Sequence, residues 1–218
     1  MPEPKPPLLA PPFTLTGGAL CLDLANTLDR PAAAAMAGET LAGERLREYR
    51  DLVCWAEQAG AIPLEAGKRL RAEADRRPGA AESALAGARA FREELYGIFS
   101  ALAGGRPAPA QALAMLNAAL APAFARRRLT GDEDRFGWQW DFDDRALDGV
   151  LAPVVESAAS LLTSPDLARV RECEAADCAW LFLDRSRNGS RRWCDMSACG
   201  NRAKVRRHYA RARASAPR

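Results

Sequence analysis

Near its C-terminal end the chain reads Cys173-Glu-Ala-Ala-Asp-Cys178, then Ala-Trp-Leu-Phe-Leu-Asp-Arg-Ser-Arg-Asn-Gly-Ser-Arg-Arg-Trp, then Cys194-Asp-Met-Ser-Ala-Cys199-Gly-Asn-Arg202. Two cysteine pairs, each enclosing four residues, stand fifteen residues apart. Structural zinc takes four soft ligands in a closed tetrahedron, and paired cysteines let two tight turns aim four sulfurs at one ion. Four thiolates leave no open position for water, so the pattern predicts a structural ion and not a catalytic one. The alternatives for the same residues are two reduced, buried cysteine pairs or a redox dithiol switch in which Cys194 and Cys199 are oxidised.

The residues between the pairs support a metal-held module. Trp180 to Leu183 is an apolar run suited to a strand, Asn188-Gly189 is a tight-turn dipeptide, and Arg191 to Cys194 is placed to return as the second strand. Ser197 is positioned to cap a helix running through Val205 and Tyr209 toward Ala212, with Val205, Tyr209 and Ala212 forming a buried stripe. A knuckle, a hairpin and a helix whose first turn supplies the last ligand make a treble-clef-like arrangement. A module of about 40 residues has too little core to fold alone, and an ion would hold it together.

Charge is concentrated in the same region. Residues 185–218 contain 11 Lys and Arg against one acid, Asp195, whereas residues 1–184 contain 20 basic and 27 acidic residues. A net charge of +3 therefore hides a basic end and an acidic body, a division that points to a polyanionic partner. Arginine offers a bidentate fork for phosphate oxygens and guanine edges. The candidate nucleic-acid contacts are Arg191, Arg192, Arg202, Lys204, Arg206 and Arg207. Duplex DNA is the expected partner; RNA is the alternative, although the module lacks a run of stacking aromatics. The 28 arginines against 3 lysines, with 46 alanines, also reflect compositional bias, so the position of the arginines counts for more than their number.

The rest of the 218 residues reads as helical. Ala42, Leu46, Tyr49, Val53 and Ala56 recur at helical spacing before Gly60, and similar patterns predict helices near 64–77, 81–102, 108–127 and 146–163. Arg127 to Leu129 and Phe136 to Phe142 flank Gly131-Asp-Glu-Asp134 as a β-hairpin, with Trp138, Trp140 and Phe142 on one face. Ala19 to Leu22, after the Gly17-Gly18 turn, reads as a short strand entering a helical turn. The fold class is α+β: a mostly helical N-terminal domain with short β-hairpins, followed by the small four-cysteine finger. The expected organisation is a disordered proline-rich start over 1–12, the helical α+β domain over 13–165 as a sensor or oligomerisation unit, the finger over 166–213 and a disordered tail over 214–218.

Several functions find no support. His208 is the single histidine, so no Ser-His-Asp or Cys-His apparatus can form within the body, and no glycine-rich phosphate cradle precedes a helix. No enzyme is expected. The aspartates around 132–144 read as turn and cap residues. Cys21 and Cys54 lie in apolar surroundings as core residues. Asp23, Asn26, Thr27, Asp29 and Arg30 form the one polar cluster after an apolar run; Asp23 and Asn26 are candidates for a small-molecule effector pocket, the alternative being that they satisfy local backbone groups. No apolar run reaches the roughly 18 residues that would span a bilayer, and six prolines interrupt residues 1–13 where a signal peptide needs an apolar core. The expectation is a cytoplasmic protein without a membrane contact, with a homodimer as one arrangement.

The same residues carry a family resemblance. Cys173, Cys178, Phe182-Leu-Asp-Arg-Ser-Arg-Asn188, Ser190-Arg-Arg-Trp-Cys194, Met196 and Cys199-Gly-Asn-Arg202-Ala-Lys204 resemble the CGNR zinc finger. Gly17-Gly-Ala-Leu-Cys-Leu-Asp-Leu-Ala-Asn-Thr27 resembles the opening of the ABATE domain, which precedes this finger in bacterial proteins described as stress-induced transcription regulators. The resemblance implies one zinc ion on Cys173, Cys178, Cys194 and Cys199 and DNA binding by a transcription regulator.

Overall fold

The structure is a computed structural model, and it describes residues 13–30, 43–132, 135–143 and 145–214. In chain order the elements are α1 (Leu20–Ala25), α2 (Tyr49–Gln58), α3 (Leu64–Arg76), α4 (Pro78–Ala103), α5 (Ala110–Phe124), β1 (Arg127–Asp132), β2 (Arg135–Trp140), α6 (Ala152–Leu162), β3 (Val170–Glu172), β4 (Leu181–Leu183) and α7 (Asn201–Ala214). Short 3-10 turns at Leu147–Leu151 and Pro165–Arg169 lead into α6 and β3. The expectations for residues 1–12, for 215–218 and for Ala42 lie outside the described residues.

Helix α4 is the axis of the body. Pro78 opens it in the first turn, where a missing N–H costs nothing, and it continues for 26 residues, or about 39 Å at 1.5 Å per residue. Leu85, Ala88, Phe91, Leu95, Ile98 and Phe99 recur at three- and four-residue spacing and are buried. Helices α1, α2, α3 and α5 pack against it, while α6 lies against α1 and α5. One core runs from Phe13 to Leu183 and takes in Val170, Leu181 and Leu183 of the β3–β4 hairpin. The ordinary worth of a fully buried large apolar side chain, about 1.5–3 kcal/mol, makes this core the main source of stability. It also contains an ion pair: Arg92 grips Glu44 through both nitrogens at 2.6 and 2.7 Å, with both side chains under 5% exposed.

Four local expectations need correction. Residues Leu20–Ala25 form a helix and not a strand, and Cys21 to Ala25 are all buried. A segment buried on every side shows no period by which to separate the two conformations. Gly17 approaches α1 so closely that a Cβ there would lie 2.9 Å from the Asp23 nitrogen. Helix α2 starts at Tyr49 and not near Ala42, because Asp51 reaches back to accept from the Glu48 N–H at 3.2 Å and fixes the first turn. It ends as expected at Gly60, which takes φ +70°.

The remaining two corrections concern strands. Arg127–Asp132 pairs antiparallel with Arg135–Trp140, so the second strand stops short of Phe142. Its register puts Leu129, Phe136, Trp138 and Trp140 on one face, and the Arg127 guanidinium lies 5.0 and 5.1 Å from the centroids of Trp138 and Trp140. In the finger, β4 pairs with β3 and not with the chain at Arg191 to Cys194. That later segment reaches the first knuckle through one backbone bond, from Glu174 N–H to the Arg192 carbonyl at 3.0 Å. Leu181 and Leu183 of β4 belong to the body's core while Phe182 packs among the four cysteines, which places the strand inward and leaves the returning segment outside.

Candidate zinc centre and basic face

Short-range hydrogen bonds fix each cysteine in turn. The ladder of β3 extends one residue to Cys173, whose N–H donates to the Trp180 carbonyl at 2.9 Å, and Cys178 closes a turn onto Ala175 at 2.9 Å. Asp184, fully buried, accepts from the Ser186 N–H and hydroxyl at 2.9 and 2.5 Å and from the Arg191 N–H at 2.9 Å. The Ser186 hydroxyl and these backbone donors hold its carboxyl below the usual carboxylate range. One buried carboxylate thus returns the 184–191 loop toward Cys194.

Asp195, and not Ser197, caps the last helix. Its Oδ1 accepts from the Ser197 and Ala198 N–H groups at 2.6 and 3.0 Å. This opens a π-helical turn, Met196–Gly200, that carries Cys199 and runs on into α7. Ser197 stands nearer the helix, but the carboxylate two residues earlier reaches both free N–H groups.

The four sulfurs of Cys173, Cys178, Cys194 and Cys199 lie within 4.8 Å of one another, all buried. Cys194 Sγ is 3.7 Å from Cys178 Sγ and 3.6 Å from Cys199 Sγ. Sulfurs at the corners of a tetrahedron around zinc, each about 2.3 Å from it, are about 3.8 Å apart. Donor type, number, burial and spacing therefore fit one zinc ion. The thiols of Cys178 and Cys194 can donate toward Cys173, which draws its own proton off well below the usual thiol range. Arg202 Nη2 sits 3.1 Å from Cys199 Sγ, so a cation faces the sulfur cluster.

The six basic residues expected to meet nucleic acid fall into three groups. Arg191 turns inward: its Nε donates to the Trp193 carbonyl at 2.9 Å, a second nitrogen contacts the Cys194 carbonyl, and its guanidinium lies 4.5 Å from the Phe182 ring centroid. Arg192, Arg202 and Arg206 are exposed but hold carboxylates, Arg192 at 2.5 Å from Glu174 and the other two at 3.2 and 2.9 Å from Asp177. Lys204 and Arg207 are exposed and have no ion pair among the described residues. Sequence reasoning missed Glu174, Asp177 and Asp184. Their signal was proximity, since Glu174 and Asp177 lie between the first two cysteines.

Helix α7 carries a further correction. Val205 and Tyr209 are 52% and 64% exposed and form no buried stripe. Apolar period shows which face a helix would bury, but among the described residues no other element covers that face. The result is a projecting basic helix with exposed apolar side chains.

Asp23 and Asn26 are buried and bond to nearby backbone. Asp23 accepts from the Gly17 N–H at 2.8 Å, and burial raises its carboxyl to about 6. Asn26 bonds to the backbone of Leu181. Neither lines the cleft of about 420 Å³ beside the cysteines, where Asp29, Arg30 and Arg45 face Asp177, Trp180 and Arg202. No helix among the described residues is long and apolar enough to cross a membrane.

Comparison with protein families matches this architecture. The ABATE family, described as "Putative stress-induced transcription regulator", matches residues 18–165, and the CGNR zinc finger matches residues 169–212. No curated protein matches the chain.

Proposed function

Because the chain belongs to the ABATE family and ends in a CGNR zinc finger, we propose that it is a cytoplasmic transcription regulator that binds duplex DNA through α7. Cys173, Cys178, Cys194 and Cys199 would hold one zinc ion, which supplies a structural cross-link with no open coordination position. In this reading residues 13–165 form the sensor or oligomerisation domain and residues 166–213 the DNA-binding finger.

The observation that carries the proposal is the free basic face of α7. Lys204 and Arg207 are exposed without carboxylate partners among the described residues, on a helix rooted in the sulfur cluster and otherwise uncovered. Such a helix has the dimensions and charge to lie in a major groove. Arg192, Arg202 and Arg206 would exchange Glu174 and Asp177 for phosphates, while Arg191 shapes the second knuckle from within. A homodimer would present two fingers, and the exposed face of Leu129, Phe136 and Trp138 is a surface on which two chains could pair.

Fluorescence anisotropy on a random duplex pool tests this reading. Lys204→Ala with Arg207→Ala should weaken binding and reduce its salt slope by about 2, one for each lost phosphate contact. Unchanged affinity and slope would remove α7 from the interface. Exposed Tyr209 favours single-stranded nucleic acid as the second reading, since an aromatic ring can stack on an unpaired base. Tighter binding to single strands, lost in Tyr209→Ala, would select it. Burial of all four sulfurs gives no support to the redox-sensor alternative.

A further inference from the structure

We propose that the cleft between α4, α5 and α6 binds a small apolar carboxylate, with the carboxylate group on Arg126. The site lies in the helical body and stands apart from the DNA reading.

The cleft exists because small residues face one another. Ala84, Gly87 and Ala88 of α4 meet Ala119 and Ala123 of α5 and Ala152 of α6 across a space of about 300 Å³. That is the lower end of the range for small-molecule sites, enough for a single ring or a short alkyl chain. At Gly87 an added Cβ would find no atom within 4 Å. The wall is apolar, so the cleft offers little to a strongly hydrated ligand.

Its charged groups are Arg126 and Asp148. The Arg126 side chain is only 23% exposed, yet its ion pair with Asp148 is long, at 3.9 Å, and Asp148 is 76% exposed. Other buried arginines of the body behave differently. Arg92, 3% exposed, meets Glu44 at 2.6 Å, and Arg30 and Arg127, 10% and 22% exposed, directly contact Glu93 and Glu156. Among the described residues no hydrogen bond fills the Arg126 guanidinium. A half-buried cation with a distant, solvated counterion is poised for a carboxylate delivered from the cleft, which would be gripped bidentately.

Gly149 leaves room for the cation to lie close to the backbone. A Cβ there would come within 3.0 Å of Arg126 Nη1 and 3.1 Å of its Cζ, so the guanidinium lies flat against bare backbone. An apolar pocket with one cation at its edge selects an acid over its neutral isostere and an apolar body over a polar one. Sugars, nucleotides and polyanions do not fit this chemistry.

The test uses the zinc-loaded full chain and isothermal titration calorimetry with 3-phenylpropionate and hexanoate, each paired with its neutral amide. At least one acid should saturate and bind at least about tenfold more tightly than its amide, the scale of one charge-assisted contact. Arg126→Gln should abolish that preference. Gly87→Leu should remove acid binding by filling the cleft, and should melt no lower than the parent, because it replaces a helical glycine beside open space. Equal binding of acid and amide, binding that survives Gly87→Leu, or the absence of saturation by either acid at millimolar concentration would overturn the proposal.

Discussion

Asn26 joins the helical body to the finger through both halves of its side-chain amide. Its Nδ2 donates to the Leu181 carbonyl at 2.8 Å, and its Oδ1 accepts from the Leu181 N–H at 2.9 Å. The two residues are 155 positions apart and both are buried. An amide is the side chain that can satisfy a peptide donor and acceptor together. Asn26→Ala should therefore destabilise the protein by about 1–3 kcal/mol for each orphaned backbone group. Asn26→Asp should fail as well, since it has no donor for the carbonyl. Thermal melts of the zinc-loaded chain check this, and an Asn26→Ala melt equal to that of the parent would count against the staple.

Arg92 and Glu44 form the buried charge pair beside α4, both under 5% exposed. Burial opposes the Glu44 charge, and the Arg92 guanidinium outweighs it, holding the carboxyl below its usual range. Arg92→Met would leave the buried carboxylate with only the longer pair to Arg89, 3.6 Å away, and should cost about 3 kcal/mol. Adding Glu44→Gln should recover part of that loss, because the amide oxygen can still accept from the Leu46 N–H while the orphaned charge is gone. Urea titration of Arg92→Met, Glu44→Gln and the double variant measures the coupling; strictly additive losses would mean that the pair does not act as a unit.

Asp23 gives the molecule a pH dependence of known sign. Burial lifts its folded carboxyl to about 6 from an ordinary value near 3.8, only partly offset by the Gly17 N–H. The folded state therefore binds this proton more tightly, and its contribution is present at low pH and lost as pH rises through about 6. Asp23→Asn keeps an oxygen for Gly17 and removes the charge. Its stability relative to the parent should increase between pH 5 and pH 8, toward about 2–3 kcal/mol. Paired denaturant curves at fixed zinc check the trend, and a constant difference across that window would contradict it.

Asp177 occupies Arg202 and Arg206 together, at 3.2 and 2.9 Å. If phosphates take its place on binding, Asp177→Asn should release both cations and raise duplex affinity. Exposed pairs of this kind are each worth about 0.2–1 kcal/mol, so releasing both should raise affinity about two- to thirtyfold at low salt and less at high salt. Anisotropy titrations at two salt concentrations decide it. A loss of affinity would instead mean that Asp177 orients the two arginines for their target.

The elements differ in how openly the sequence announced them. The cysteine spacing foretold the cluster because ligand geometry constrains residue type and interval directly. Helices α3, α4 and α5 and the β1–β2 hairpin followed from apolar period and turn residues. Helix α1 did not, since Cys21 to Ala25 are buried all round and carry no period. The stripe of Val205 and Tyr209 misled for the opposite reason, because a period exists without an element to cover it. The pairing of β4 with β3 depended on which strand the body's core would claim, and the Arg126 cleft arises from small residues on three helices brought together only by packing. Asp195 and Asp177 lay in plain sight beside cysteines, but their roles depend on where the backbone turns.

The most direct test of a zinc-held nucleic-acid finger is duplex binding by the full chain before and after metal removal, with zinc counted by native mass spectrometry. We expect one zinc per chain, loss of binding when a chelator strips it, recovery when zinc is restored, and no zinc at this site in Cys178→Ser. Undiminished duplex binding by the stripped chain, or full zinc content in Cys178→Ser, would contradict it.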